Sequence, residues 1–397
     1  MKDHRRLAVT LAGAAAFVNL YAPQSLLPLL REWLGADAAL TGAVVSAGTL
    51  GVAIAAPFAG ALADRLGRRR VIVSAAFLVV IPALLLPFAQ TPAEMILARL
   101  AQGFFLPGIF GVTVAYVGSE WPASESRRML ASYVAGTIGG GFCGRLLSGL
   151  VAQFAGWRWA FAALALLHLL LAIAIYVLLP PERKREHPSN AANVRALLWT
   201  PELRGSFAVG FSLLFSLVGT FTYLTLRLAG PPFLLGPAAL SSIFAVYLLS
   251  IVVTPWSGRL LNAYGHGRVL ELSWALAIVG LLLTLFLWLP LVILGMALFS
   301  CGLFVAQTAT TSFVGEAAGA ARAVAVGIYV TFYYVGGSVG GVLPAPIWNR
   351  TGWPGIVVLM ACMGLMSALV GRRSFAQARW HGPEESAPLL EVGGEAP

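Results

Sequence analysis

The feature that most constrains this chain is a succession of apolar runs, each near the length of a bilayer crossing and separated by short arginine-bearing turns. A helix rising ~1.5 Å per residue needs roughly 20 apolar residues to cross ~30 Å of hydrocarbon. Such runs fall near residues 7–30, 39–63, 71–89, 93–118, 127–152, 158–180, 205–229, 239–262, 269–289, 291–313, 321–347 and 353–371. Only 11% of the 397 residues are charged, against about 25% in a soluble domain. That excludes a water-soluble globular protein. The pattern predicts an all-α membrane protein of twelve transmembrane helices. The basic opening Met1–Arg6 mimics a signal peptide, but the apolar run continues to Leu30 without a cleavage site. It reads as an uncleaved first span.

Charge then orients the spans. The 26 Lys and Arg exceed the 16 Asp and Glu by ten, a balance that in a soluble protein would point to nucleic acid. Here twenty cations fall in the turns on one side, beginning with Lys2, Arg5 and Arg6. Only Arg31, Arg158 and Arg350 fall on the other. By the positive-inside rule both termini are expected in the cytoplasm. No nucleic-acid partner is expected; the partner is the bilayer. Cys143, Cys301 and Cys362 are odd in number and scattered through apolar segments, so no disulfide framework or metal site is expected.

An internal repeat divides the chain. Pro57-Phe58-Ala59-Gly60 matches Pro255-Trp256-Ser257-Gly258, an offset of 198 that continues through Gly67 and Gly265. Tyr133, Gly140, Gly144 and Gly156-Trp157 match Tyr329, Gly336, Gly340 and Gly352-Trp353 at an offset of 196. The expected organisation is a six-helix bundle over 1–180, a cytoplasmic linker over 181–204, a second six-helix bundle over 205–371 and a tail over 372–397. Paired repeats are the plan of transporters that rock one bundle against the other.

The segment Gly60-Ala61-Leu62-Ala63-Asp64-Arg65-Leu66-Gly67-Arg68-Arg69 resembles, position for position, the G-x-L-A-D-R/K-x-G-R/K-R/K signature of the major facilitator superfamily. The resemblance implies the major facilitator fold. It also implies that Asp64, Arg65, Gly67, Arg68 and Arg69 form a cytoplasmic gate latch against span eleven, with a weaker counterpart where Asn262 replaces the Asp. Arg99…Gln102-Gly103 resembles the R-x-x-Q-G element of drug and sugar exporters. Gly136-x-x-x-Gly140-Gly141-x-x-Gly144-Arg145 resembles an antiporter pattern, with Gly141 in place of Pro and Arg145 in place of Gly. Together with Asn19 to Gln24 these features are similar to the YnfM-type efflux branch. Small residues at Gly136, Gly140 and Gly144, repeated at Gly336 and Gly340, allow helices to approach closely. Ordinary packing and a sliding seam between the halves predict the same residues.

A charge at bilayer depth costs ~2.5–3.5 kcal/mol on insertion scales and calls for a reason. Arg99 and Arg145 lie six and seven residues below their helix ends, with Glu94 at the start of span four the only nearby acid at this depth. The expected substrate cavity holds Asn19, Tyr21, Gln24, Arg99, Gln102, Arg145, Gln307, Tyr329 and Tyr333. The unpaired arginines favour a neutral or anionic small molecule. Bonding of each arginine to backbone or to Gln102 is the structural alternative, and His168 is expected to be a bonded packing residue.

The leading reading is a monomeric secondary transporter of the bacterial inner membrane, working by alternating access. It exports a small organic molecule, with no cofactor; the resemblance implies a proton as coupling ion. Span one carries no acid, so an uncoupled facilitator or importer of an organic anion or sugar stands as the alternative. A channel or membrane sensor is the alternative of another class. No H-E-x-x-H, Ser/His/Asp set or P-loop is present in the sequence, which argues against an enzyme or an ATP-driven pump.

Overall fold

The computed structural model describes residues 2–182 and 194–377, so residues 183–193 of the expected linker and the tail beyond 377 lie outside the described residues. In chain order the α-helices are α1 Lys2–Val18, α2 Leu27–Trp33, α3 Ala38–Leu66, α4 Arg68–Leu85, α5 Pro92–Phe105, α6 Pro107–Glu120 and α7 Ala123–Leu178. They continue with α8 Val194–Trp199, α9 Pro201–Ala229, α10 Pro237–Ile243, α11 Leu249–Leu283, α12 Leu289–Ala317, α13 Arg322–Val342 and α14 Ala345–Gln377. No strand occurs among the described residues. Among the described residues nine helices are long and apolar enough to cross a membrane, or ten when the bent pair at the N-terminus counts as one.

Several of these helices hold more than one expected span. The stretch Ser124–Leu178 has 55 residues, which at ~1.5 Å per residue far exceeds one bilayer. It breaks at Gly156 (φ 82°, ψ 173°), between expected spans five and six. In α11 the break is Gly265 (φ 74°) and in α14 it is Gly352 (φ 63°). Gly67 (φ 95°) separates α3 from α4. Left-handed φ is costly for a residue with a Cβ and free for glycine. The repeat therefore records the same two chain reversals in each half: Gly67 with Gly265, and Gly156 with Gly352.

Span one, expected as one helix over 7–30, is broken. The chain leaves α1 at Val18 and enters a 3-10 turn over Ala22–Leu26, with a bend of 42°. Pro23 has no N–H to donate to the carbonyl of Asn19, and the Gln24 N–H turns to Tyr21 instead (3.0 Å). The carbonyls of Asn19 and Leu20 are thereby orphaned. Arg99 donates to both, and also to the carbonyl of Val44 (3.2 Å) and to Gln102 Oε1. Its charge also lies at the negative end of α1. This explains how an arginine only 1% exposed is tolerated without a carboxylate partner. Behind it, His168 accepts from Asn19 Nδ2 at Nδ1 (2.9 Å) and donates from Nε2 to the carbonyl of Ala76 (3.2 Å).

The glycine stripes pack inside each half rather than between halves. A Cβ at Gly136, Gly140 or Gly144 would strike the backbone of Thr10, Ala14 or Val18 on α1. One at Gly336 or Gly340 would strike Phe211 or Phe215 on α9. About half of the large apolar side chains left exposed lie on spans three, six, nine and twelve, among them Ile81, Val177, Leu272 and Leu369. That is the surface a hydrocarbon solvent requires.

Candidate functional site

Between the two halves lies a cavity of about 550 Å³. Its lining comes from span one (Phe17, Tyr21, Gln24), span five (from Val134 to Arg145) and span seven (Leu214 to Val218). Span eight adds Tyr247 and Ser250, span ten Gln307 and Thr311, and span eleven Arg322, Tyr333 and Tyr334. It runs from a head at Gln24, Arg145 and Tyr247 to a mouth at Ser312 and Arg322. The mouth lies at the arginine-rich end of the helices, here called the basic end.

The head is built around Arg145. Its Nε and Nη2 both donate to Gln24 Oε1 (3.2 and 2.9 Å), and Nη1 donates to the carbonyl of Gly141 one turn earlier (2.9 Å). The guanidinium carbon lies 4.7 Å from the ring centre of Phe244, 4.9 Å from Tyr247 and 5.2 Å from Tyr21. Aromatic faces attract a cation, more strongly where water is excluded. Phe244 and Tyr247 sit on a 3-10 segment, Phe244–Leu248, that joins α10 to α11. Phe221 of α9 braces both rings, at 5.2 and 4.6 Å. Arg145 of the first half thus docks into an aromatic cradle of the second.

Beyond the head the halves are sealed. A Cβ at Gly42 of α3 would overlap the carbonyl oxygen of Gly341 of α13, and Ser338 donates to Thr49 Oγ1 across the same seam (3.1 Å). On the other side Gly149 of α7 packs on Pro237 and Ser241 of α10. At the basic end the same helices stand apart. Cβ atoms at Gly60 and Gly258 would meet nothing within 4 Å, and Phe58, Leu62 and Trp256 are exposed.

Of the expected cavity residues, Tyr21, Gln24, Arg145, Gln307 and Tyr333 line this space. Asn19, Arg99 and Gln102 do not, because they are spent on the break in span one. Tyr329 is not among the lining either; it is buried behind Tyr333 (ring centres 6.0 Å apart) and over Gly210. Span four, expected to line the cavity, contributes no lining residue among those described. Sequence reasoning missed Phe244 and Tyr247. The signal that could have found them is an aromatic pair at i, i+3 in the first half of span eight. Arg322 was counted only as a topological charge.

The signature segment is found bracing its own half. Asp64 meets Arg68 one turn on (3.8 Å), where the resemblance implied span eleven. Arg68 donates its backbone N–H to Glu182 (2.9 Å), and Arg69 caps the carbonyls of Tyr176 and Leu179 (3.0 and 2.8 Å) at the end of α7. Those are the orphan acceptors of a helix C-terminus, where a cation is favourable. Among the described residues no group of His, Cys, Asp and Glu could hold a metal.

Broken helices around a polar cavity at a seam between repeats define a multi-pass membrane transporter rather than an enzyme. The chain belongs to the Major Facilitator Superfamily, whose sequence model matches residues 9–341. It is 32% identical over 372 residues to the inner membrane transport protein YnfM of Escherichia coli, covering 92% of this chain and 89% of that protein. It is 28% identical to an uncharacterized transporter of Buchnera aphidicola (Schizaphis graminum), over 88% of this chain and 86% of that one. In structure it resembles the nucleoside transporter NupG, with a TM-score of 0.77 at 18% identity over 93% of this chain and 99% of that one. It also resembles the human organic anion transporter MFSD10 (TETRAN), with a TM-score of 0.70 at 18% identity and the same coverage. The chain is a secondary transporter of a small molecule.

Proposed function

We propose that the protein carries a small, neutral or anionic organic molecule across the bacterial inner membrane by alternating access, as a monomer of two six-helix bundles, 1–180 and 205–371. On this reading twelve crossings and the charge balance of the turns put both termini and the 181–204 linker in the cytoplasm. On that reading the basic end is cytoplasmic and the structure is the inward-open state. The observation that carries the proposal is a polar and aromatic cavity closed at one end by glycine-to-backbone contacts and open at the other. Export against a proton gradient is the preferred direction, supported by the likeness to YnfM-type efflux proteins. Uncoupled movement of an organic anion is the second reading. It is favoured by the lack of an acid in span one and by the likeness of fold to a protein named as an organic anion transporter.

Two measurements test this. In a cysteine-free background, Ala36→Cys and Trp199→Cys should react with an impermeant maleimide from opposite sides of the membrane; labelling from one side refutes the topology. Compounds that raise the melting temperature of the purified protein should show accelerated exchange across proteoliposomes when present on the far side. Flux without such counterflow would identify a channel and overturn the carrier.

A further inference from the structure

Arg145 lines the head of the cavity though only 3% exposed, and its hydrogen bonds among the described residues do not use all of its N–H groups. An arginine offers five N–H groups in a planar fork. In Arg145 three are used: Nε and Nη2 converge on the single oxygen Gln24 Oε1, and Nη1 reaches Gly141. One N–H remains on each terminal nitrogen. The ring of Phe244 and those of Tyr21 and Tyr247 pack around the guanidinium. No carboxylate is ion-paired with it among the described residues, and none of the residues lining the cavity is acidic. The cavity therefore contains two cations, Arg145 at its head and Arg322 at its mouth, and no anion of its own.

We propose that the head of the cavity is a carboxylate site, in which the two remaining N–H groups of Arg145 hold an aromatic monocarboxylate end-on. This deepens, and rests on, the reading of the cavity as the transport site. Two parallel N–H donors on adjacent nitrogens match the two oxygens of a carboxylate, a fit that a lysine's point charge does not reproduce. A phosphate or sulfate would present further oxygens toward Phe17 and the tyrosine rings, where no cation waits. The body of the ligand lies along Phe17, Tyr333 and Tyr334, which supply flat apolar faces. Gln307 and Thr308 of α12 face the cavity with hydrogen-bonding capacity for one further polar substituent. The volume of about 550 Å³ suits a bicyclic acid or one somewhat larger. Gln24 has a positioning role: by accepting from two nitrogens with one oxygen it aligns the fork and leaves an N–H on each terminal nitrogen for the ligand.

The test compares 2-naphthoate with 2-naphthamide, its neutral isostere, binding to the full chain in nanodiscs with empty nanodiscs as blank. Naphthoate is expected to bind saturably, at least about 10-fold more tightly than the amide. Arg145→Lys should erase most of that ratio, because the positive charge is kept and the fork is lost; saturable binding of the amide that remains shows that the variant is folded. Gln24→Ala should reduce the ratio by less than Arg145→Lys does. Equal affinity of acid and amide in the unmodified protein, or a ratio unchanged in Arg145→Lys, overturns the proposal. So does a ratio lost in Arg322→Gln but kept in Arg145→Lys, which would move the carboxylate to the mouth. Counterflow is read separately. Neutral compounds exchanged without preference for carboxylates sink the carboxylate site and spare the transporter. Tight naphthoate binding with no counterflow of any bound compound would sink the transport reading instead.

Discussion

The two ends of the seam between the halves are made by the same spans and packed in opposite ways. At the end away from the signature segment, α3 meets α13 through Gly42 and Gly341, and α7 meets α10 through Gly149, each without room for a Cβ. At the basic end, Gly60 on α3 and Gly258 on α11 have open space where a Cβ would be. Glycines that look alike in sequence are thus of two kinds in this conformation: some are closed contacts, others are spare. If the halves rock, the spare glycines become the contacts of the opposite state. The two closed seams also differ from each other. The offset of 196 that aligns Gly144 with Gly340 aligns Arg145 with Gly341. One seam is backbone against backbone, and at the matching position of the other an arginine is docked in aromatic rings.

Breaking the closed seam should have the largest effect. Gly341→Leu puts a side chain against Ser46 and the Gly42 carbonyl, where overpacking of ~1–3 kcal/mol shifts a two-state balance up to ~100-fold. Transport should fall by about that factor, and a cysteine at Ser338 should become reactive from the side opposite the basic end. Continued protection of that cysteine would mean that the glycine contact is not the seal.

Filling the spare glycine should act on the other state. Gly60→Leu should leave the melting temperature unchanged while slowing transport about 10-fold, an overpacking cost of ~1–2 kcal/mol felt only when the basic ends close. Normal transport by this variant would show that α3 and α13 do not converge there.

Asp64→Asn should act in the same direction and more weakly. The pair with Arg68 is partly exposed and worth ~0–1 kcal/mol, so stability should change little. Loss of the contact with span eleven that is expected in the closed state should slow transport about 3- to 10-fold. An unaltered rate would remove the latch from the mechanism. Ser338→Ala, which loses one bond to Thr49 across the closed seam, should cost about 1 kcal/mol. A small, measurable rise in the reactivity of a cysteine at Ser46 should follow; its absence would leave the glycines as the whole of the seal.

The residues legible in the sequence were those whose reason is local. Apolar length and left-handed glycines act within a few residues, so the helical membrane fold, the repeat and the chain reversals could be read directly. Gly67 and Gly156, with their copies Gly265 and Gly352, mark the places where the structure turns. Tyr21, Gln24, Arg145, Gln307 and Tyr333 were legible because a polar or aromatic group at bilayer depth needs a destination, and the cavity is one. The same reasoning placed Arg99, Asn19 and Gln102 in the cavity, where they are not. A helix break and a cavity both satisfy a buried polar group, and one sequence position looks the same in either.

The sequence by itself determined a helical membrane protein built from two like halves, and the chemistry stored in its interior. The cost of bare polar groups in hydrocarbon leaves few other solutions. Only the tertiary structure decided which arginine meets the cavity, which glycines are closed and which end of the molecule is open. Those outcomes depend on long-range pairs: Arg99 with carbonyls that Pro23 sets free, Arg145 with rings about a hundred residues away, Gly42 with Gly341. Each such pair joins positions that no local period connects, and each is decided by which backbone can approach which.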